Sequence, residues 1–216
     1  MPESKDLRRY APATERNRVP ICSVLETVLP PQGTILEIAS GTGQHAVFLA
    51  PRLRPRHWLP SDPNPAARAS IRGWLETAPA ENLHPPLALD MTQPDWFQWV
   101  VAWQAAEGKL APPIAAIAAI NMIHIAPWLA CAGLMAGAET LLAKGSVLYL
   151  YGPFKQQGQH TAPSNEAFDQ SLRLQNPDWG VRDLEAVTQL ANAHQFQLSD
   201  TIAMPANNLS VVFTRQ

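Results

Sequence analysis

Residues 34–43 read TILEIASGTG, and this stretch decides the fold of the 216-residue chain. Its first five residues are apolar or β-branched apart from one glutamate, which indicates a short buried strand. A glycine-containing loop follows, and the stretch 44–53 then has a helical pattern. A strand that leads through a glycine loop into a helix is typical of an α/β domain with a parallel sheet.

Predicted strands and helices alternate on both sides of this stretch as far as residue 151. The further predicted strands are 57–59, 87–89, 114–120 and 146–151, and the further predicted helices are 19–29, 65–77, a helix that begins at Pro94, and 134–142. This order predicts one domain with helices on both faces of a parallel sheet and right-handed crossovers.

The last third of the chain has a different pattern. Residues 152–181 show no clear period, and a connection of this length is usually functional. A helix over 183–194 follows, and two extended segments near 196–203 and 208–214 close the chain. The Asn-Asn pair between the two segments is a turn signal, so they are predicted to form an antiparallel hairpin.

Composition excludes several classes of protein. Hydrophobic residues make up 46% of the chain, charged residues 16%, and the net charge is −2, which argues against disorder and against binding nucleic acid by bulk charge. The one notable basic cluster, at 8–18, keeps an anionic small molecule or an RNA open as a partner. We expect a small-molecule substrate, with nucleic acid disfavoured.

The sequence shows no pattern for membrane insertion, secretion or metal binding. No apolar run reaches the ~18–20 residues of a membrane span, and the N-terminus has no secretory pattern, so we expect a cytoplasmic protein without a membrane partner, as a monomer or homodimer. Cys22 and Cys131 lie in apolar surroundings and are predicted to be core residues. No Cys/His spacing predicts a metal site.

Polar residues stand at the predicted ends of the strands, where ligands bind in open α/β sheets. Glu37 opens the glycine loop, and Asp62, 25 residues further on, ends the second strand. A carboxylate there can accept hydrogen bonds from both ribose hydroxyls. Asp90, after the third strand, can accept from an adenine amino group, and Asn121 and His124 follow the fourth. Each aspartate alone could be a helix cap, but together they favour a nucleoside site.

The sequence of the glycine loop distinguishes between two classes of nucleoside cofactor. A dinucleotide site needs G-x-G-x-x-G, but only Gly41 and Gly43 are present. The Glu37 carboxylate would repel a pyrophosphate and suits a ligand with a cationic group, such as S-adenosylmethionine. A nicotinamide-dependent reductase remains an alternative, as does a cofactor-binding or scaffold protein without catalysis.

The motif Glu37-x-Ala39-x-Gly41-x-Gly43 resembles the first motif of class I S-adenosylmethionine-dependent methyltransferases, with Ala39 in place of the first glycine. The wider sequence is similar to the DUF938 family, also called UPF0585 or methyltransferase-like 26. The segments that carry this resemblance are ERNRVPI (15–21), LEIASGTGQHA (36–46), INMIHIAPW (120–128), GLMAGA (133–138), LYGPF (150–154), SNEAFDQSLR (164–173), NPDWGVRDLEAV (176–187) and MPANNLSVVF (204–213).

The resemblance implies a Rossmann-like class I methyltransferase fold: a seven-stranded, mostly parallel sheet with an antiparallel last strand and helices on both faces. It also implies a single domain over 1–216, with an N-terminal helical lid at 1–30 and an insertion at 152–181 near the active site. The cofactor would be S-adenosylmethionine and the product S-adenosylhomocysteine. The resemblance names no methyl acceptor.

Roles for single residues follow from the same resemblance. The methionine end of the cofactor would be lined by Glu37, Ala39, Gly41 and Gly43, and its carboxylate would be covered by Arg16 and Asn17. The ribose would be held by Asp62 and the adenine by Asp90 and Met91. The methyl group would be flanked by Asn121 and Met122.

Catalysis and substrate binding give a second set of candidates. Methyl transfer mainly needs the reactants aligned, and Asn121 is a candidate catalytic residue beside the methyl group. His124 is the candidate general base because the ordinary pKa of histidine lies near neutral pH; the alternative is that it packs or hydrogen-bonds at the exit of its strand. The candidate substrate residues are Trp128, Tyr151, Phe154, Asn165, Phe168 and Asn207.

Overall fold

A computed structural model describes residues 6–108 and 111–216 of the chain. The helices are α1 (Pro12–Val28), α2 (Gln44–Leu49), α3 (Pro65–Thr77), α4 (Phe97–Glu107), α5 (Trp128–Leu141), α6 (Pro163–Gln175) and α7 (Leu184–Ala193). The strands are β1 (Thr34–Ile38), β2 (His57–Pro60), β3 (Ile114–Ile120), β4 (Val147–Gly152), β5 (Phe154–Gln156), β6 (Gln159–His160), β7 (Arg182–Asp183), β8 (Phe196–Met204) and β9 (Asn208–Arg215).

The central sheet has six strands in the order β2-β1-β3-β4-β9-β8. Strands β1 to β4 are parallel, β9 is antiparallel to β4, and β8 is antiparallel to β9. The mostly parallel sheet with an antiparallel last strand is therefore confirmed, and so is the closing hairpin. A separate three-stranded sheet has the order β6-β5-β7.

The expected seventh strand, over 87–89, is wrong. Within the described residues this stretch makes only an isolated bridge from Leu87 to Ser61, beside β2. Pro85 and Pro86 stand directly before it, and proline has no backbone N–H to donate to a ladder. The prolines therefore interrupt the pairing with β2. Leu83 bridges Trp58 before them, and after them Leu87 N donates to Pro60 O and Asp62 N to Leu87 O, both at 3.0 Å.

Further bounds differ from the sequence prediction, among them the starts of α4, at Phe97 rather than Pro94, and of α5, at Trp128 rather than Leu134. The first helix begins at Pro12 rather than near 19 and continues through Pro20. Helix α2 ends at Leu49 instead of 53, in a turn region that contains Pro51 and Pro55. The segment 152–181, which shows no clear period in the sequence, contains β5, β6 and α6. Residues 1–5 of the predicted lid lie outside the described residues.

Helices cover the sheet on both faces, as predicted. Residues of α1 and α2, such as Leu25 and Leu49, pack on one face against Ile35 and Trp58. Residues of α4, α5 and α7 pack on the other face, with Leu134 at the centre of α5 fully buried. No helix in the described part of the chain is long and apolar enough to cross a membrane.

Candidate active site

The strand order creates a crevice at one edge of the sheet. Strand β1 lies between β2 and β3, so the chain leaves β1 toward β2 on one side and returns with β3 on the other. Ligands of open α/β sheets bind at such a switch point, outside the carboxyl ends of the strands. The glycine loop follows β1 and Asn121 follows β3, so both reach this crevice.

The loop after β1 turns through left-handed backbone conformations. Ala39, Gly41 and Gly43 have φ values of 55°, 56° and 84°. A Cβ on Gly43 would lie 2.8 Å from Ile71 of α3, so this glycine allows close packing. A Cβ on Gly41 would meet nothing within 4 Å, so Gly41 faces open space that a ligand could enter.

Glu37 lies beneath the loop rather than in open space. It is 1% exposed and accepts a 2.9 Å hydrogen bond from the indole N–H of Trp58. Burial raises the pKa of its carboxyl group to about 7, and the Trp58 hydrogen bond opposes that rise. Glu37 is therefore positioned to respond to a cation near the loop, because a cation stabilises the carboxylate form.

Asp62 is held firmly at the end of β2. One carboxylate oxygen accepts from Gly41 N and the other from Asn64 N, each at 2.9 Å, and the residue is 6% exposed. Each oxygen keeps a second lone pair for a ligand hydroxyl. Asp90 is oriented similarly, because its Oδ1 accepts from the backbone and the hydroxyl of Thr92.

A cleft of about 700 Å³ opens at the same edge of the sheet. It lies among α1, the ends of β3 and β4, α6 and the turn between β8 and β9. The predicted site residues that line it are Arg16, Asn17, Asn121, Tyr151, Asn165, Phe168 and Asn207. Residues distant in sequence, and predicted for both cofactor and substrate, thus meet in one cleft.

Contacts of α1 connect this cleft to the glycine loop. Asn17 Oδ1 lies 2.9 Å from Nε2 of His45, which is in the first turn of α2. Burial lowers the pKa of His45 to about 4, so the imidazole is neutral at pH 7. Gln44, next to the loop, donates to Glu15 of α1 at 3.0 Å. Helix α1 is therefore fixed over the start of α2.

Several predicted residues lie outside the cleft lining. His124 is fully buried, and neither ring nitrogen has a hydrogen-bond partner among the described residues. Burial lowers its pKa to about 3, so the ring stays neutral and is a poor proton acceptor. Phe154 is also fully buried, edge-on to the His124 ring at 5.5 Å. Trp128, 39% exposed, lies beside the guanidinium of Arg182.

The two methionines of the prediction are core residues. Met91 and Met122 are 5% and 7% exposed and belong to the cluster on the α5 face of the sheet. Asn121 follows β3 with a left-handed φ of 61°, and its N–H donates to Tyr151 O at 2.8 Å. That bond holds the ends of β3 and β4 together at the cleft.

Sequence reasoning missed other parts of the cleft. These are Ala13, Ile125, Pro153, Ser164, Pro205 and Ala206. Ala206 is the clearest case, because it adopts a φ of 58°, which is costly for residues other than glycine. The Asn-Asn pair signals this turn and Asn207 is a predicted substrate residue, but no local pattern marks Ala206.

Several solved structures share this fold. An O-methyltransferase family protein from Burkholderia thailandensis matches with a TM-score of 0.75 and 12% identity over 94% of this chain and 57% of that chain. Human N-acetylserotonin methyltransferase in complex with S-adenosylmethionine matches with 0.72 and 11%, over 94% and 52%. An O-methyltransferase family 2 protein from Planctomyces limnophilus in complex with apigenin matches with 0.69 and 17%, over 94% and 60%.

These similarities show a Rossmann-like methyltransferase fold, and the chain spans little more than half the length of these neighbours. The family model described as "Protein of unknown function (DUF938)" matches residues 8–215. The chain therefore belongs to the DUF938 family, as the sequence resemblance implies.

Proposed function

We propose that this protein is an S-adenosylmethionine-dependent methyltransferase that acts on a small molecule bound in the 700 Å³ cleft. The observation that carries the proposal is the carboxylate of Asp62, fixed against Gly41 N of the glycine loop at 2.9 Å. An oriented carboxylate beside an open glycine loop at the switch point suits the ribose of a nucleoside.

The residues at the crevice fit the chemistry of this cofactor. Asp62 would accept from the ribose hydroxyls and Asp90 from the adenine amino group. Arg16 and Asn17 would hold the carboxylate of the methionine part, because both line the cleft on α1. The buried Glu37 carboxyl would favour the cationic groups of the ligand from beneath the loop. When bound, the cofactor supplies a methyl group activated by a sulfonium.

The glycine loop and the methionines would complete the cofactor site. Gly41 faces open space, and its left-handed backbone allows a ligand to approach closely. Ala39 and Gly43 shape the same loop. Met91 and Met122 are buried among the core residues of α5, so in our proposal they support the neighbouring Asp90 and Asn121 by packing.

The acceptor would lie across the cleft from α1. Asn165, Phe168 and Asn207 line that side, and the buried Tyr151 lies at its floor with a pKa raised by burial. Holding two reactants in line can supply most of the catalysis for a displacement at carbon. We therefore assign His124 a packing role behind the cleft. In the proposed mechanism, catalysis comes mainly from aligning the methyl group and the acceptor, and Asn121 is the residue that contributes to this alignment.

Calorimetry with S-adenosylhomocysteine tests the proposal directly. We expect the wild-type protein to bind it and Asp62→Asn to bind at least about tenfold more weakly, because a hydrogen bond to a charged group is lost. Asp95→Asn, an exposed carboxylate in the turn before α4, is the matched control and should bind normally.

Two other outcomes would contradict the assignment. Binding of NADH in place of S-adenosylhomocysteine would favour the reductase alternative. Equal affinity of wild type and Asp62→Asn for S-adenosylhomocysteine would contradict the ribose contact on which the proposal depends.

Turnover is then tested with methyl-labelled S-adenosylmethionine and a metabolite extract, and the labelled product identifies the acceptor. Tight cofactor binding without any labelled product would favour a silent scaffold.

A further inference from the structure

The wall of the cleft opposite α1 is built from three asparagine side chains with fixed orientation. Asn165 Nδ2 donates to Asn207 O and to Thr161 Oγ1, both at 2.9 Å. A backbone carbonyl oxygen can only accept, so the amide nitrogen of Asn165 must face it. Its Oδ1 is left without a partner among the described residues, although Asn165 is only 4% exposed.

The other two amides repeat this arrangement. Asn207 Nδ2 lies 3.1 Å from Ser164 Oγ, and Asn208 Nδ2 donates to Pro205 O at 3.0 Å. The Asn207 nitrogen joins the β8–β9 turn to α6, and the Asn208 nitrogen bonds within the turn itself. The carbonyl oxygens of all three side chains therefore remain as acceptors on cleft-lining residues. We call Asn165, Asn207 and Asn208 the acceptor wall.

The α1 side of the cleft has the opposite polarity. Asn17 uses its carbonyl oxygen on His45 Nε2, so its amide nitrogen is the donor end and lies toward the hydroxyl of Tyr151, another cleft residue. Arg16 contributes a guanidinium that has no carboxylate within ion-pair distance in the described part of the chain, whereas Arg18 pairs with Glu15 at 2.6 Å. Donors face the cleft from one side and acceptors from the other.

We propose that the acceptor wall selects substrates that carry an N–H₂ donor group on an apolar ring, such as a small primary amide, amidine or amine. Asn165 Oδ1 has no hydrogen-bond partner among the described residues and belongs to a cleft-lining side chain, so a ligand that donates an N–H to it gains a hydrogen bond that a ligand without a donor cannot form. Phe168, 38% exposed at the same wall, provides a surface for the ring. This inference rests on the proposed function, which assigns Arg16 and Asn17 to the cofactor carboxylate.

Benzamide and benzoate are suitable probes, because they share size and shape but only benzamide donates N–H. Their affinities are measured by ligand-observed NMR titration of protein saturated with S-adenosylhomocysteine. We expect benzamide to bind about fivefold more tightly than benzoate, the effect of one hydrogen bond. In Asn165→Leu the two probes should bind within about twofold of each other.

Two further variants show whether a lost preference for benzamide is due to unfolding. Asn207→Gly removes one wall amide while relieving the backbone at φ 58°, so it should fold and reduce the preference for benzamide. Asn192→Leu, on the exposed side of α7, is the matched control and should keep the preference of the wild type.

Several results would overturn the inference. They are equal or tighter binding of benzoate, binding of neither probe, or displacement of benzamide by S-adenosylhomocysteine, which would assign the acceptor wall to the cofactor. Calorimetry with S-adenosylhomocysteine alone separates the two proposals. If it fails while benzamide binds in an Asn165-dependent way, the proposed function is wrong and the recognition stands; if it succeeds while benzamide is not preferred, only the recognition is wrong.

Discussion

The carboxyl group of Glu37 and the indole N–H of Trp58 are joined by a 2.9 Å hydrogen bond between the neighbouring strands β1 and β2. Both side chains are 1% exposed or less. Burial raises the pKa of Glu37 from its ordinary value of 4.5 to about 7, so folding favours its protonated form. This places a titratable group in the core beneath the glycine loop.

The first prediction concerns the pH dependence of stability. An acid whose pKa is raised by folding stabilises the native state below its unfolded pKa, and that contribution is lost as the pH rises through the folded value. Glu37→Gln should therefore gain stability relative to wild type by on the order of 3 kcal/mol between pH 4 and pH 8. Denaturant unfolding at a series of pH values measures this difference.

The control for this experiment is Glu76→Gln, an exposed residue of α3. Its stability curve should run parallel to that of the wild type. Parallel curves for Glu37→Gln would instead mean that the carboxyl group titrates alike in the folded and unfolded chains.

The second prediction concerns acid. His124 is buried and neutral, and burial lowers its pKa from 6.5 to about 3. Such a group stabilises the fold above its unfolded pKa, and this contribution is lost as the pH falls from 6.5 toward 3. Between pH 8 and pH 5, wild type should lose about 2 kcal/mol more than His124→Leu. Equal losses in urea titrations at the two pH values would refute the burial argument.

The third prediction tests the contact between Gly152 and His124. A Cβ on Gly152 would overlap Nε2 of the buried imidazole. Gly152→Ala should therefore cost roughly 2–4 kcal/mol of unfolding free energy, from overpacking together with backbone strain. Gly145→Ala is the comparison, because Gly145 has a φ of 84° but open space at its Cβ position.

Gly145→Ala should lower the free energy of unfolding by only about 1–2 kcal/mol, the cost of the backbone strain alone. Combining Gly152→Ala with His124→Ala should recover part of the loss, because the added methyl group then fills the space of the ring. Strictly additive costs in thermal or chemical unfolding would show that the two residues do not compete for space.

The fourth prediction concerns Arg182, which braces the turn after Asn121. Its guanidinium donates to Ile123 O at 2.9 Å, Ala126 O at 2.6 Å and Asp178 O at 2.8 Å. Arg182→Gln should lose roughly 2–3 kcal/mol of stability by leaving these carbonyl groups unpaired.

The local readout for this variant is amide hydrogen exchange, which should become faster across 121–126. Arg173→Gln, whose half-exposed side chain pairs with Asp169, should leave exchange in that segment unchanged. Unchanged exchange in Arg182→Gln would show that the turn holds its shape without the guanidinium.

Much of the fold was predictable because its signals are local. Residues 34–38, 65–77 and 114–120 were predicted with the bounds that the structure has. The stretch 87–89 was mispredicted because apolar content does not reveal that Pro85 and Pro86 deprive the ladder of donors. The strands and helix within 152–181 depend on tertiary contacts, such as the carboxylate of Asp169 that accepts from Val181 N at 2.7 Å.

The candidate site was predictable where strand ends determine position. Asn121 comes directly after β3 and Tyr151 is near the end of β4, so the predicted strands were enough to place both residues at the cleft. Phe154 and His124 lie near the same strand ends, yet their side chains are in the core, because sequence position does not determine the direction of a side chain. The acceptor orientation of Asn165 depends on a carbonyl 42 residues away, which no local pattern reveals.

Helix α1 has a consequence for kinetics. It lines the cleft with Ala13, Arg16 and Asn17 and is joined to α2 through Gln44 and His45. If the cofactor binds between α1 and the glycine loop as we propose, it would leave by that side only when these bonds break. Its residence time would then depend on how often α1 separates from α2, and Gln44→Ala, which removes two of the bonds, should shorten it.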